Sequence, residues 1–217
     1  MRQPGRLTHF ANLILLRYTG AMQNHAFIFY GISGSGKGTQ AKLLIEYLQK
    51  NDPSREVIYI ETGARIRSFI ADTSGHTRDM VKNILDKGGL LPEFIPIWLW
   101  SNLLVTKFTG KEHLVLDGVS RWPHESPIVD AALKFYGFEE LNVILINVSR
   151  EWARSRLKER KRYDDDEAEI NRRFDWYEKN TKPAVDYFRD KPSVSIIEIN
   201  GEQEIEAVHR EIIRKVF

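Results

Sequence analysis

The run GISGSGKGTQ, residues 31–40, stands between the apolar stretch AFIFY and the helix-like AKLLIEYL, and no other segment limits the fold as much. Gly31, Gly34 and Gly36 permit backbone turns that a residue with a Cβ resists. Successive N–H groups can therefore turn inward on one anion, with the positive end of the following helix behind them. Lys37 adds a mobile positive charge for the outer oxygens of a phosphate chain. Such a loop needs a strand feeding it and a helix leaving it, and the flanking patterns supply both. One detail departs from the common pattern: Gly38 follows Lys37 where Ser or Thr is usual, and the hydroxyl comes one place later as Thr39.

The rest of the chain repeats the same alternation. Short, nearly continuous apolar runs at 26–31, 57–60, 114–117, 141–148 and 194–199 read as strands covered on both faces. Helical patterns lie between and after them, near 37–50, 62–71, 74–87, 93–108, 124–136, 150–161, 165–189 and 203–217. This order predicts an α/β fold, a five-stranded parallel sheet between two helical layers, with ligands gathered at the carboxyl ends of the strands. Two helix-rich pieces, 61–93 and the charged corner 156–165, are candidates for moving parts around such a site.

Composition narrows the function classes. The 217 residues carry 32 Lys and Arg against 30 Asp and Glu, a net charge of +2, too small to argue for nucleic acid or an anionic membrane. Cysteine is absent, which removes disulfides, thiolate zinc sites and cysteine nucleophiles together. Residues 1–24 read as an N-terminal extension, basic and without an acid before Glu46. They resemble a targeting segment, and an upstream start with Met22 as the true beginning is the alternative. The expectation is a cytoplasmic protein, or an organellar one if residues 1–21 are a targeting segment.

The ending Gly38-Thr39-Gln40 resembles that of the adenylate kinase and nucleoside monophosphate kinase family, and further motifs occur in that family's order over residues 26–217. The resemblance implies a P-loop NTPase-type domain over 25–217 with a helical monophosphate-binding insertion at about 61–93 and a very short lid at about 156–165. It assigns Gly34, Ser35, Gly36, Lys37, Gly38 and Thr39 to ATP. ETGARIRSF resembles the family's TGxxxR, placing Thr62 and Gly63 near the acceptor base and Arg67 on its phosphate. Thr62 favours adenine over pyrimidines, while Ala64 stands where the family usually has an aspartate that organises magnesium waters. DKGGLLPEF resembles the segment whose backbone frames the acceptor base, here Gly89, Leu90 and Leu91.

LVLDGVSRWPHE resembles the family's LLDGFPR, extended by the few residues after its arginine. On that likeness Asp117 holds magnesium through water, Gly118 lies against the acceptor, and Arg121 clamps the phosphoryl group in transit. The family's base-reading glutamine falls on His124 or Glu125, and the sequence leaves both open. The neighbouring Trp98 and Trp100 are assigned to packing.

The segment from 147 to 188 resembles the family's closing lid and the long helix behind it, with Arg156 along the donor adenine and Arg160, Arg162 and Arg173 converging on the phosphates. Asp164 and Asp165 serve either the lid or the cap of the next helix, Asp164 having capping-box-like spacing to Glu167. Arg150, Arg154, Arg172 and Lys161 are read as solvated charge. Gly201 and Gln203, in EINGEQEIEAV, would meet the donor adenine mainly through backbone.

The resemblance thus implies a monomeric kinase that converts ATP and AMP to two ADP with magnesium and no structural zinc, without nucleic acid or membrane partners. Lys37, Arg121, Arg160, Arg162 and Arg173 would act on the moving phosphoryl group. A UMP/CMP or other monophosphate kinase is the alternative enzyme. A weakly catalytic adenine-nucleotide sensor is the alternative of another class.

Overall fold

A strand with apolar side chains on both faces must be covered on both sides, and the five expected strands meet that requirement together. The computed structural model describes residues 24–87, 89–160 and 166–217. Strands β1 (Ala26–Tyr30), β2 (Val57–Glu61), β3 (His113–Asp117), β4 (Leu141–Asn147) and β5 (Val194–Asn200) form one parallel sheet in the order β2-β3-β1-β4-β5. Alternation along β1 splits the core in two. Ala26, Ile28 and Tyr30 face a cluster with Trp100, Leu104, Val129, Leu133 and Phe188, whereas Phe27 and Phe29 face Leu44, Leu48, Ile144, Val208 and Ile212.

The first face is covered by α4 (Phe94–Lys107), α5 (Glu125–Phe135) and α8 (Lys182–Arg189), and the second by α1 (Lys37–Asn51) and α9 (Ile205–Val216). Helices α2 (Thr62–Asp72) and α3 (His76–Asp86) fill the connection from β2 toward α4. Beyond β4, α6 (Arg150–Arg160) and α7 (Glu167–Trp176) close a third apolar cluster of Ile32, Ala153, Leu157, Ile170, Phe174 and Tyr177. This cluster begins in the phosphate loop itself, at Ile32.

The helix expected over 165–189 runs without a break from Glu167 to Arg189, but its winding is not uniform. A π-turn over Tyr177–Thr181 joins α7 to α8. The cap of α7 is Asp166, whose carboxylate accepts from the Glu169 N–H at 2.9 Å, so the cap sits two residues beyond the Asp164 expected from spacing. Asp164, Asp165, Lys161, Arg162 and residues 1–23 lie outside the described residues. Among the described residues, no helix is long and apolar enough to cross a membrane.

At the end of the sheet opposite the carboxyl strand ends, the His25 N–H donates to His113 Nδ1 at 3.0 Å, and His113 Nε2 faces Asp52 Oδ2 at 3.3 Å. This pattern assigns the proton of a neutral His113 to Nε2. Burial pushes the His113 imidazole below its ordinary 6.5, against the pull of Asp52, and Arg55 pushes the same way as burial. Burial and His113 also lower His25. With a folded pKa below the unfolded one, the unfolded chain takes up the proton first as pH falls. Stability from this corner is complete above the ordinary histidine value and is lost as pH drops through it toward the folded value. Thermal unfolding between about pH 7.5 and about pH 5.5 should therefore show a falling midpoint. The fall should be shallower in His113→Asn by up to one proton's worth, about 1.4 kcal/mol per pH unit.

Candidate active site

Parallel pairing brings the carboxyl ends of three neighbouring strands into a row. Glu61 of β2 pairs with Asp117 of β3, and Asp117 pairs with Phe29 of β1. The segments that follow these strands carry Thr62 to Arg67 at the start of α2, Gly118 to Arg121 in a turn, and the 31–37 loop. Residues far apart in the chain are thus lined up along one sheet edge.

The loop is held open from below. Gly31 has a φ of +149° and Gly34 of +88°, and a Cβ on Gly34 would lie 2.5 Å from the Ala153 carbonyl oxygen of α6. Gly36, at φ +90°, caps α1 without a side-chain bond, and the first turn of α1 holds no acid. Its leading N–H groups and positive end are therefore not neutralised by the helix's own acids, the arrangement that receives phosphate. Lys37 Nζ donates to the carbonyls of Gly31 at 2.7 Å and Ile32 at 3.0 Å, which keeps its charge against the loop. Ser35 Oγ is buried without a hydrogen-bond partner, a polar atom inside the cradle with bonding capacity to spare. Gln40 anchors α1 by donating to the Ile205 carbonyl at 2.9 Å.

Beside the loop, Asp117 is buried, and its Oδ2 lies 3.5 Å from the position of a Cβ on Gly38. Burial pushes its carboxyl pKa up, while Lys37 and Arg121 pull it down. The Tyr59 hydroxyl stands 3.4 Å from the same oxygen, and burial followed by the charges of Asp117 and Glu61 raises the Tyr59 pKa. After Asp117 the chain turns through Gly118 at φ +75° and Ser120 at φ +58°. Arg121 folds back over this turn, so that its Nη2 would be 2.7 Å from a Cβ on Gly118, a position only glycine leaves clear.

On the β2 side, Thr62 opens α2 with its hydroxyl buried and unpartnered. Arg67 reaches back to Glu61 at 3.0 Å and passes close over Gly63. Gly89 N–H closes onto the Ile84 carbonyl at 2.7 Å, with Leu90 exposed and Leu91 half-buried after it. His124 pairs with Glu93 at the start of α4. Glu125 is buried: its Oε2 accepts the Arg121 N–H at 2.7 Å and its Oε1 the Trp100 indole N–H at 2.9 Å.

The model of the family described as "Adenylate kinase" matches residues 29–193. This chain belongs to the adenylate kinase family. It is 29% identical over 217 residues to "Adenylate kinase" of Desulforamulus reducens, covering 86% of this chain and 97% of that one. It is 33% identical over 181 residues to "Adenylate kinase 1" of Synechocystis sp., covering 83% of this chain and 91% of that one. A solved gluconokinase from Sinorhizobium meliloti superposes with a TM-score of 0.55 over 88% of this chain and 90% of its own, at 13% identity. That likeness concerns the fold alone. Membership of the adenylate kinase family makes the chain a phosphotransferase of the nucleoside monophosphate kinase kind, working on nucleotides with magnesium.

Against the adenylate kinase pattern, the described residues bring Gly34 to Thr39, Asp117, Gly118 and Arg121 together at one sheet edge, with Thr62, Gly63 and Arg67 on the neighbouring strand end. Arg156 lies over the Trp152 ring at 5.0 Å and 3.6 Å from Glu159. Arg173, on α7, contacts the Glu169 carbonyl at 3.4 Å. Arg160 ends α6, but its side chain, like the whole of Arg162, lies outside the described residues. Gln203 spends its side-chain amide on the Asn200 carbonyl at 2.7 Å and Glu211 at 3.0 Å. Gly201 is packed so closely that a Cβ would lie 2.5 Å from Ile146.

Two readings need correction. Trp100 is buried as expected for packing, but Trp98 is half exposed, edge-on to Phe69. Arg154 is not solvated charge: it pairs with Glu167 at 2.8 Å, donates to Asn171 at 2.7 Å and lies over Phe174, fastening α6 to α7. Sequence reasoning missed Tyr59, Glu61 and Thr181 beside the site. Only strand register brings Tyr59 and Glu61 to Asp117, and only the path of the π-turn before α8 brings the Thr181 hydroxyl to the Arg121 carbonyl at 3.3 Å.

Among the described residues no group of three or more His, Asp or Glu side chains could hold a metal unaided. Magnesium that arrives with a nucleotide needs less, because phosphate oxygens and water fill most of its sphere. Asp117, with its carboxylate against Gly38 at the mouth of the loop, fits that lesser demand.

Proposed function

We propose that this protein is an adenylate kinase, transferring the γ-phosphoryl group of ATP to AMP to give two ADP. The observation that carries the proposal is the row of strand ends β2, β3 and β1, with Arg67 on the helix that opens directly after the first, Arg121 in the turn after the second and the phosphate loop after the third. Acceptor grip, transit clamp and donor cradle then occupy successive places along one edge.

Gly34 to Thr39 and Lys37 hold the donor phosphates, and Arg67 holds the acceptor phosphate beside the Thr62 hydroxyl. Arg121 stands between them with a planar fork of donors that lysine lacks. An oxygen of the AMP phosphate attacks the γ-phosphorus in line as the bond to the β-bridging oxygen breaks, and ADP leaves. No general base is required because the attacking oxygen is already anionic. Positioning and charge compensation therefore provide the catalysis. Asp117 would hold magnesium through water, and the ion would neutralise charge on the phosphate oxygens. Arg156 and the backbone of Gly201 and Gln203 line the donor side. Gly89, Leu90 and Leu91 frame the acceptor side, and His124 is the remaining candidate to face its base. Arg160, Arg162, Arg173, Asp164 and Asp165 belong to the closing corner.

Thr62 supports AMP over the pyrimidine monophosphates. Purified protein with ATP, magnesium and each of AMP, GMP, CMP and UMP should produce ADP fastest with AMP. Faster turnover of UMP or CMP would overturn the choice of acceptor. No turnover with any of the four would leave the nucleotide-sensor reading in its place.

A further inference from the structure

We infer that Glu125 is a positioning residue that seats Arg121, and that it does not read the acceptor base. The inference rests on the proposed transit role of Arg121 and adds the device that fixes that arginine in place. Two left-handed residues, Gly118 at φ +75° and Ser120 at φ +58°, bend the chain just before Arg121. A non-glycine residue persists in that region only when its surroundings hold it there. Here they do so from three sides.

The Glu125 carboxylate takes the Arg121 N–H, and the Thr181 hydroxyl donates to the Arg121 carbonyl at 3.3 Å. The Ser120 hydroxyl meets that of Ser126 at 2.7 Å, and Ser126 in turn donates to the Ala184 carbonyl at 2.9 Å. Both backbone polar groups of Arg121 are thus bonded by side chains. One comes from α5 and the other from the π-turn that leads into α8.

The second oxygen of Glu125 extends the seat to the acceptor side. Trp100, its donor, lies on α4, the helix that leaves the 61–93 segment. One carboxylate therefore ties the backbone of the arginine to the helix beneath the acceptor grip. The chemistry explains the residue type. Two inward N–H donors call for two acceptors and no donor, which a carboxylate provides; a glutamine would turn its NH2 against one of them. Charge-assisted bonds of this kind also offset the cost of burying the group. A base reader, by contrast, must present a hydrogen-bonding edge to the ligand, and Glu125 is 2% exposed with both oxygens engaged.

The test compares the full-length wild type with Glu125→Gln, Glu125→Ala and Trp100→Phe. Steady-state rates would be measured on the four monophosphates, with amide hydrogen exchange at Arg121 followed by NMR. A displaced Arg121 should lower kcat by about 30-fold in Glu125→Gln. Both KM values should stay within about threefold, and the order of the four monophosphates should not change. The Arg121 amide should exchange at least about tenfold faster. Trp100→Phe removes one donor but leaves the Arg121 bond, so its kcat should stay within about threefold of wild type. If Glu125→Ala does not fold, the near-isosteric Glu125→Gln carries the test.

A changed order of monophosphates in Glu125→Gln would make Glu125 a base reader and overturn the inference. An unchanged kcat would overturn it too, as would an equal loss in Trp100→Phe, the sign of a simple core pin. A wild type that turns over no monophosphate would instead refute the proposed function. Exchange at Arg121 would still decide the seat in that event, and an unchanged rate in Glu125→Gln would overturn it.

Discussion

Arg121→Ala should lower the rate of phosphoryl transfer by about three orders of magnitude while leaving the fold intact. The two halves of this expectation have separate causes. Arg121 is exposed, and its guanidinium lies over Gly118 without entering any apolar cluster, so its removal creates no cavity. The bonds that hold the turn use the backbone of Arg121 and survive truncation of the side chain. On the proposed function, what disappears is the fork of donors between donor cradle and acceptor grip, where charge would spread over the oxygens in transit. Arg121→Lys keeps the charge but loses the fork, and should fall between alanine and wild type. Turnover and thermal unfolding measured on the same preparations would check both halves. An unchanged rate in the alanine variant would remove Arg121 from the reaction.

Gly34→Ala should cost about 3 kcal/mol or more of stability and weaken ATP binding by about 100-fold or more. Its φ of +88° is strained for any residue with a Cβ, and the added atom would lie 2.5 Å from the Ala153 carbonyl oxygen and 3.0 Å from Leu157 Cγ. Relief requires α6 to back away from the loop. That movement pulls Ala153 and Leu157 from the cluster they share with Ile32, Phe174 and Tyr177. Gly36→Ala is the control. It meets the same strain at φ +90° but has nothing within 4 Å of the added atom, so it should lose only about 1–2 kcal/mol. Denaturant unfolding and nucleotide titration of the pair would separate strain from collision. Equal damage in the two would mean that contact with α6 is unimportant.

The strands were legible because burial on both faces leaves a plain mark, a run of apolar residues too short for a helix. The phosphate loop was legible because its glycines meet backbone demands that only glycine satisfies. The order of the strands was not legible. Nothing local says that β3 lies between β1 and β2, and that order alone sets Asp117 beside Gly38 and Tyr59 beside Asp117. Glu125 was legible only as one of two candidate base readers; its bond to Trp100 was hidden for a similar reason, since that partner lies 25 residues earlier on another helix. Among three successive aspartates, 164–166, residue type could not say which caps α7; the start of the helix decides it. Trp98 and Trp100 were separable in principle. Two residues apart on a helix they point about 200° from each other, so both could not face the core.

The π-turn at Tyr177–Thr181 makes a residue count part of the design. A helix that takes in one extra residue as a wider turn changes phase by about 100° from there on. Arg173 lies before that shift; Thr181, which touches the turn bearing Arg121, lies at its end, and Ala184, which reaches that turn through Ser126, lies beyond it. Were one residue lost from the turn, every side chain would keep its identity and the helix its continuity. Yet Arg173 and Thr181 would no longer share the angular relation they have now. In this segment chain length carries as much information as chain composition, and a relative that differs by a single deletion there is a different machine from one that differs by a single substitution.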